Sequence, residues 1–333
     1  MSPIKEVIIN KNTNTNPVWI MRQAGRYLPE FREIRKKNTD FIQLCLNSDL
    51  SSEITLQPLR RFELDAAIIF SDILMIPYGL NQKVEFKKNF GPLLGELIID
   101  EISKLVEEDF TENVKPVYKA IELVQNNILT KNKSTIGFVG APWTLLVYMI
   151  NRQSPKKNLV NDFFKDKSLI NDTLKILEKF TKIHIKNQID SGAEIIQIFD
   201  SWAGLLQEKD LSKFIYNPTL SLVEYTKSLN TPVICFPRGI KNYKNYCDII
   251  EPSAICIDYE IDPIRISKDI KIPIQGGMDP KVLLTDIENL KKQTEKYLDI
   301  FKDHPYIFNL GHGVLPETDP KMMEYLVKLV KDY

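Results

Sequence analysis

Histidine and cysteine are scarce in this sequence, net charge is absent, and no apolar run is long; each shortage narrows what the chain can be. The four cysteines, Cys45, Cys235, Cys247 and Cys256, show no CxxC or other ligand spacing. They read as reduced, structural residues of a cytosolic protein. Forty-four basic and 44 acidic side chains cancel to a formal charge of zero, which excludes a generic nucleic-acid binder. No apolar run approaches the ~20 residues that span a bilayer. The first residues, Met1-Ser-Pro-Ile-Lys5, lack the apolar core of a signal peptide, so a soluble, cytoplasmic chain without a membrane partner is expected. No GxGxxG motif follows the first apolar run, so the dinucleotide fingerprint is missing.

What the sequence does contain is a physical alternation. Short apolar runs at Val18–Met21, Ala66–Phe70, Thr135–Val139, Glu194–Phe199, Pro232–Phe236, Ala254–Ile257, Ile272–Gln275 and Tyr306–Leu310 suit strands buried on both faces of a parallel sheet. Amphipathic stretches lie between them. Val117, Ile121, Val124 and Ile128 recur at helical spacing, and Ser168 to Asp190 reads as a long helix closed by Gly192. Thr285-x-x-Glu288 has the form of a capping box, and Asp279-Pro280 and Asp319-Pro320 each place a capping carboxylate before a first-turn proline. Eight buried strands alternating with helices fit an α/β fold, a TIM-type (β/α)8 barrel, with a doubly wound open sheet as the rival. No linker divides residues 1–333, so one catalytic domain is expected. Leu80 to Asp100 reads as a hairpin inserted after the second strand, where such insertions often cover an active site.

Function in a barrel collects where strands end. The first run ends in Arg22-Gln-Ala-Gly-Arg26 and continues to Arg32 and Arg35. Gly25 is the residue expected to take backbone angles closed to others. Four arginines over one loop suit several carboxylates or phosphates, although a solvated basic helix face would look the same. The other runs end in Ser71-Asp72, in Gly140-Ala-Pro-Trp143 with Tyr148 following, in Asp200-Ser201-Trp202, in Pro237-Arg238-Gly239, in Asp258-Tyr259, in Gly276-Gly277-Met278-Asp279 and in Gly311-His312-Gly313. Each has a plainer reading: Asp72 as a helix N-cap, Tyr148 as a core tyrosine, Ser201 as a helix start. Polar residues and glycines at every strand end exceed what packing requires.

Pro17-x-Trp-x-Met-Arg-Gln-Ala-Gly-Arg-Tyr-Leu-Pro-Glu30 and Gly137-Phe-x-Gly-Ala-Pro-Trp-Thr144 resemble the signature motifs of the uroporphyrinogen decarboxylase family. Phe70-Ser-Asp-Ile73, Phe199-Asp-Ser-Trp-Ala-Gly204 and Leu310-Gly-His-Gly313 follow in that family's order and spacing. The resemblance implies a (β/α)8 barrel, a homodimer, and removal of four acetate carboxyls from uroporphyrinogen without a cofactor or metal, giving coproporphyrinogen. It further implies that Arg22, Arg26 and Arg35 bind substrate carboxylates, Arg22 within the catalytic centre. Gln23, Ala24 and Gly25 would contact substrate from the loop. Asp72 would stabilise a cationic pyrrole, its ionised form favoured by nearby arginines against the cost of burial. Tyr148, Ser201 and His312 would hydrogen-bond carboxylates or ring edges. Zinc-dependent methyltransferases share this barrel superfamily but need clustered Cys and His ligands. Here the cysteines fall inside strands or helices, and His312 has no thiolate near it in sequence.

Overall fold

The apolar runs form strands where continuous hydrophobicity marked them. The computed structural model describes residues 1–87, 90–155, 159 and 162–333. Strand β1 is Ala66–Ile68, β4 Ser134–Gly140, β5 Ile195–Asp200, β6 Val233–Pro237, β7 Ala254–Ile257, β8 Ile274–Gly276 and β9 Tyr306–Ile307; β2 (Val84–Lys87) and β3 (Gly91–Leu94) form the inserted antiparallel hairpin. The seven others are parallel, in the order β1-β4-β5-β6-β7-β8-β9. Each is followed by helical structure, as parallel crossovers require. All seven therefore end on the same rim.

The eighth position departs from expectation. Val18–Met21 makes no regular ladder, only a parallel bridge from Val18 to Phe308. The reason lies in where its amides go. Trp19 N–H reaches the Phe308 carbonyl, but side chains take the others. Val18 N–H donates to Asp65 Oδ2 at 2.7 Å, Ile20 N–H to Gln23 Oε1 at 3.0 Å, and Met21 N–H to Asn309 Oδ1 at 2.9 Å. Gln23 Nε2 completes the join to β1 by donating to the Ala66 carbonyl at 2.9 Å. The segment sits between β9 and β1, where Phe308 N–H donates to the Pro17 carbonyl and Asp65 N–H to the Val18 carbonyl, and side chains complete the seam that closes the ring. Asp65 also receives Lys331 Nζ on both carboxylate oxygens at 2.7 Å, tying the C-terminal helix Pro320–Asp332 to the same seam.

Inside the ring, Trp19, Met21, Ile68, Ile136, Ile195, Ile234 and Ile307 form an apolar plug. A buried polar chain crosses it, with Trp19 Nε1 donating to Gln275 Oε1 and Gln275 Nε2 to Gln197 Oε1. The larger core lies between the strands and the surrounding helices, including Glu107–Gln125 and Lys167–Asp190. Val117, Ile121 and Val124 are buried there, but Ile128 falls beyond that helix's end and is 77 % exposed. The long helix closes with Gly192 at φ +108°. Asp279 and Asp319 cap as expected. Thr285 does not. The helix Ile287–Phe301 is capped by Asp286, whose Oδ1 accepts from Asn289 N–H at 2.8 Å; the carboxylate outcompetes the hydroxyl one residue earlier. The four cysteines are free thiols. Among the described residues no helix is long and apolar enough to cross a membrane.

Gln23 is the seam's least replaceable member, because its amide serves two buried backbone groups at once. Gln23→Leu should therefore lower the unfolding free energy by about 2–3 kcal/mol. Urea denaturation checks this, and an unchanged midpoint would show that the seam does not need the amide.

Candidate functional site at the barrel rim

The loop after the seam carries its strain at an unexpected residue. Arg22, not Gly25, occupies the left-handed region, at φ +63°. For a residue with a Cβ this costs about 1–2 kcal/mol. Gly25 is required for space, since a Cβ there would stand 3.0 Å from the Arg22 carbonyl. The loop is fixed from behind. Tyr27 hydroxyl donates to the Gln23 carbonyl, and Arg32 Nη1 donates to the carbonyls of Arg26 and Tyr27. Arg32 is thus a staple, while Arg22 and Arg26 remain exposed. Gln23 is buried and its side chain faces the seam, whereas Ala24 and Gly25 are half-buried. Arg35 lies on the helix Pro29–Lys37, half-buried, over the Phe41 ring. Burial holds its guanidinium below the ordinary arginine value, and Arg26 pushes the same way.

Asp72 stands just past β1. Its Oδ1 accepts from Leu74 N–H at 2.9 Å, so the plainer reading, a local cap, is part of its role. Burial pushes its carboxyl up to about 6, against the pull of the Leu74 N–H and of Arg22. Burial therefore outweighs the arginine field expected to keep it ionised. Tyr148, on the helix Pro142–Asn151, is half-buried. Its hydroxyl is raised by burial, with Asp72 raising it further and Arg22 opposing. Cys45 lies between the two sides: burial raises its thiol most, then Asp72, with Arg35 opposing.

His312 completes the opposite wall. Gly313 N–H donates to its Nδ1 at 2.7 Å, which leaves the proton of the neutral ring on Nε2, a donor. Burial lowers its pKa to about 4, aided by Arg22 and Arg238. Gly313 is needed for a different reason: a Cβ there would lie 2.3 Å from Arg22 Cδ. The glycine thus gives the Arg22 stem its path.

Ser201 follows β5 and is half-buried. Its turn is held by the buried Asp200, whose Oδ1 accepts from Thr144 hydroxyl at 2.6 Å; Thr144 Oγ1 in turn accepts from Trp202 N–H at 3.0 Å. Burial pushes Asp200 up to about 7. Trp202 meets the Tyr148 ring edge-on, centroids 5.8 Å apart. Beneath these groups Phe138, Phe199 and Phe236 make an edge-to-face row at the strand ends, the first two half-buried. Sequence reading missed this aromatic floor. The signal was present, since in β5 Ile195 and Phe199 are in step with the inward-facing residues.

The structure thus brings Arg22 near Asp72, Tyr148 and His312; Ser201 adjoins through Trp202, whose ring meets Tyr148, and Arg26 lies near Arg35. Gln23 is turned away by its side chain. His184 is buried against Phe110 and Tyr118, and burial lowers its pKa to about 3. His304 bonds the Ile272 carbonyl. Both are structural. Among the described residues no three His, Cys, Asp or Glu side chains converge as metal ligands. A cleft of about 570 Å³ lined by Ser2, Gln125, Lys133 and Glu194 shares no residue with this rim.

Comparisons with known proteins place the whole chain in one family. The family model described as uroporphyrinogen decarboxylase (URO-D) matches residues 1–333. A protein named uroporphyrinogen decarboxylase from Rickettsia bellii is 40% identical over 339 residues, covering 100% of this chain and 98% of its own. Its namesake from Rickettsia felis is 36% identical, covering 99% and 97%. Among solved structures, a methyltransferase from Methanosarcina mazei superposes with a TM-score of 0.82 at 14% identity, covering 100% of this chain and 99% of that one. That likeness concerns the fold alone. Family model and full-length relatives together show that the chain belongs to the uroporphyrinogen decarboxylase family.

Proposed function

We propose that the barrel rim removes the four acetate carboxyls of uroporphyrinogen without a cofactor, giving coproporphyrinogen and CO2. Family membership carries the decarboxylation of uroporphyrinogen in porphyrin and haem biosynthesis. One observation carries the residue-level reading: a half-buried carboxyl, Asp72, shares the rim with Arg22 and Tyr148, above an aromatic floor.

Loss of CO2 from a pyrrole acetate leaves an electron pair that needs a sink. Protonating the ring supplies one; after CO2 departs, the new methylene takes up a proton and the ring gives one back. Asp72, ionised above its raised pKa, accepts the pyrrole N–H groups and stabilises the cation formed in between. Arg22, Arg26 and Arg35 hold substrate carboxylates through forked, charge-assisted bonds. His312 offers its Nε2 proton, and Tyr148 and Ser201 their hydroxyls, to carboxylates or ring edges. Ala24 and Gly25 contribute from the loop. The whole chain, 1–333, acts as one catalytic domain, and the family likeness supports a cytoplasmic homodimer.

Asp72→Asn keeps the acceptor for Leu74 but removes the charge. Turnover of uroporphyrinogen, followed anaerobically by mass spectrometry, should fall by at least ~100-fold. Native turnover in that variant would sink the role given to Asp72, and loss of other than four carboxyls by the unaltered protein would overturn the substrate reading. The pH dependence has a fixed sign. The folded Asp72 holds its proton up to about 6, above the ordinary 3.8, so kcat/KM should fall as pH drops through about 6. Burying this charge costs stability above that pH. Asp72→Asn should therefore raise the unfolding free energy at pH 8 by on the order of 1 kcal/mol. A pH profile flat down to pH 5 contradicts the assignment.

Arg22→Lys retains the charge without the fork. A drop in kcat/KM of about tenfold is expected. An equal kcat/KM would mean that Arg22 acts as a point charge only.

A further inference from the structure

One cation of the rim has no place in the account above. Arg238 follows β6, and its position is set by the strand register. β5 and β6 pair Phe199 with Phe236 and Asp200 with Pro237, so the next step sets Arg238 beside Ser201. The Arg238 N–H donates to the Asp200 carbonyl, which keeps that register beyond the last ladder pair. Ile234 and Phe236 face the barrel interior, and alternation gives Arg238 the same inward sense. Arg238 is half-buried.

The turn is held from three sides. Gly204 N–H donates to the Arg238 carbonyl. The backbones of Gly204 and Gly239 lie so close that a Cβ on Gly204 would stand 2.7 Å from the Gly239 carbonyl oxygen. Gly239 N–H donates to Asp258 Oδ2 at 3.1 Å. Acidic neighbours do not claim the guanidinium. Asp258 spends its oxygens on Gly239 N–H, Glu260 N–H and Tyr243 hydroxyl. Asp200 faces Thr144 on the outer side of the sheet. Among the described residues no ion pair joins Arg238 to a carboxylate, whereas the half-buried Lys5 and Lys182 each have one. Its charge is felt across the rim at His312, together with that of Arg22.

We propose that Arg238 is a further substrate-binding residue, whose guanidinium takes a carboxylate of the substrate beside Ser201 and His312, on the wall facing Arg22. The inference rests on the rim being the substrate site. An unpaired arginine fork carried on a fixed backbone at this rim is complementary to a carboxylate side chain of a flat, polyanionic ring. Arg22 and Arg238, carried on different segments that both act on His312, would then hold two separate carboxylates of one ring.

The test compares the unaltered protein with Arg238→Ala, Arg238→Lys and Arg22→Ala, each checked for a native thermal transition. Steady-state kinetics with uroporphyrinogen are measured, together with equilibrium binding of coproporphyrin, the stable oxidised form of the product. Arg238→Ala should raise KM and the coproporphyrin Kd about tenfold with kcat changed less than about twofold, and Arg238→Lys should recover part of both. If Arg238→Ala leaves KM and Kd unchanged while Arg22→Ala weakens both, Arg238 is not a substrate ligand and the proposal fails alone. If neither variant weakens binding, the rim is not the site. Should Arg238→Ala fail to fold, Arg238→Gln replaces it, and native KM and Kd in that variant likewise overturn the proposal.

Discussion

The join between the first and last strands is the constraint on which the rest of this molecule depends. A barrel built from ladder hydrogen bonds alone would fix the backbone of Val18–Met21 as one more strand. Here Asp65, Gln23 and Asn309 substitute for the missing partners. Because Gln23 is held inside the seam, the chain must turn sharply at Arg22, and the turn is made with a left-handed backbone at a residue with a Cβ. Gly313, across from it, gives the arginine stem room. Seam, turn and glycine act together to hold a guanidinium over the barrel mouth.

The second theme is competition between burial and charge. Asp72 is pulled toward ionisation by Arg22 and by a backbone N–H, yet burial outweighs both. The same balance keeps His312 neutral, since burial and two flanking arginines all oppose its protonation. The rim therefore combines a neutral imidazole and cations with one costly carboxylate. Such an arrangement is unfavourable for an empty protein, and under the proposed function it favours a polyanion that becomes transiently cationic at its ring.

Much of this was legible in the residues. Strand positions followed from continuous apolar runs, and the hairpin fell between Leu80 and Asp100 as read. The rim positions of Asp72, Tyr148 and His312 were legible because each lies in the segment that leaves a buried strand. Three features were not legible. Gln23 sits inside a motif whose neighbours face the rim, and nothing local marks its amide as structural; its partners lie near residues 20 and 66. The left-handed turn was assigned to Gly25 because glycine is the usual occupant, whereas tertiary closure imposed it on Arg22. Asp286 took the cap from Thr285 because a carboxylate answers a helix dipole better than a hydroxyl, a preference that the capping-box pattern conceals.

The seam also has a temporal meaning. Met21 N–H is satisfied by Asn309, 288 positions further along the chain, and Trp19 by the carbonyl of Phe308. Contacts of such sequence separation form late, after the local strand–helix units have condensed. During synthesis the arginine loop emerges first, but its partners emerge almost last. A nascent chain can thus carry most of its barrel while having no organised mouth, and the arginine loop becomes ordered only as the ring closes. Contacts within each strand–helix unit precede the one that shapes the mouth.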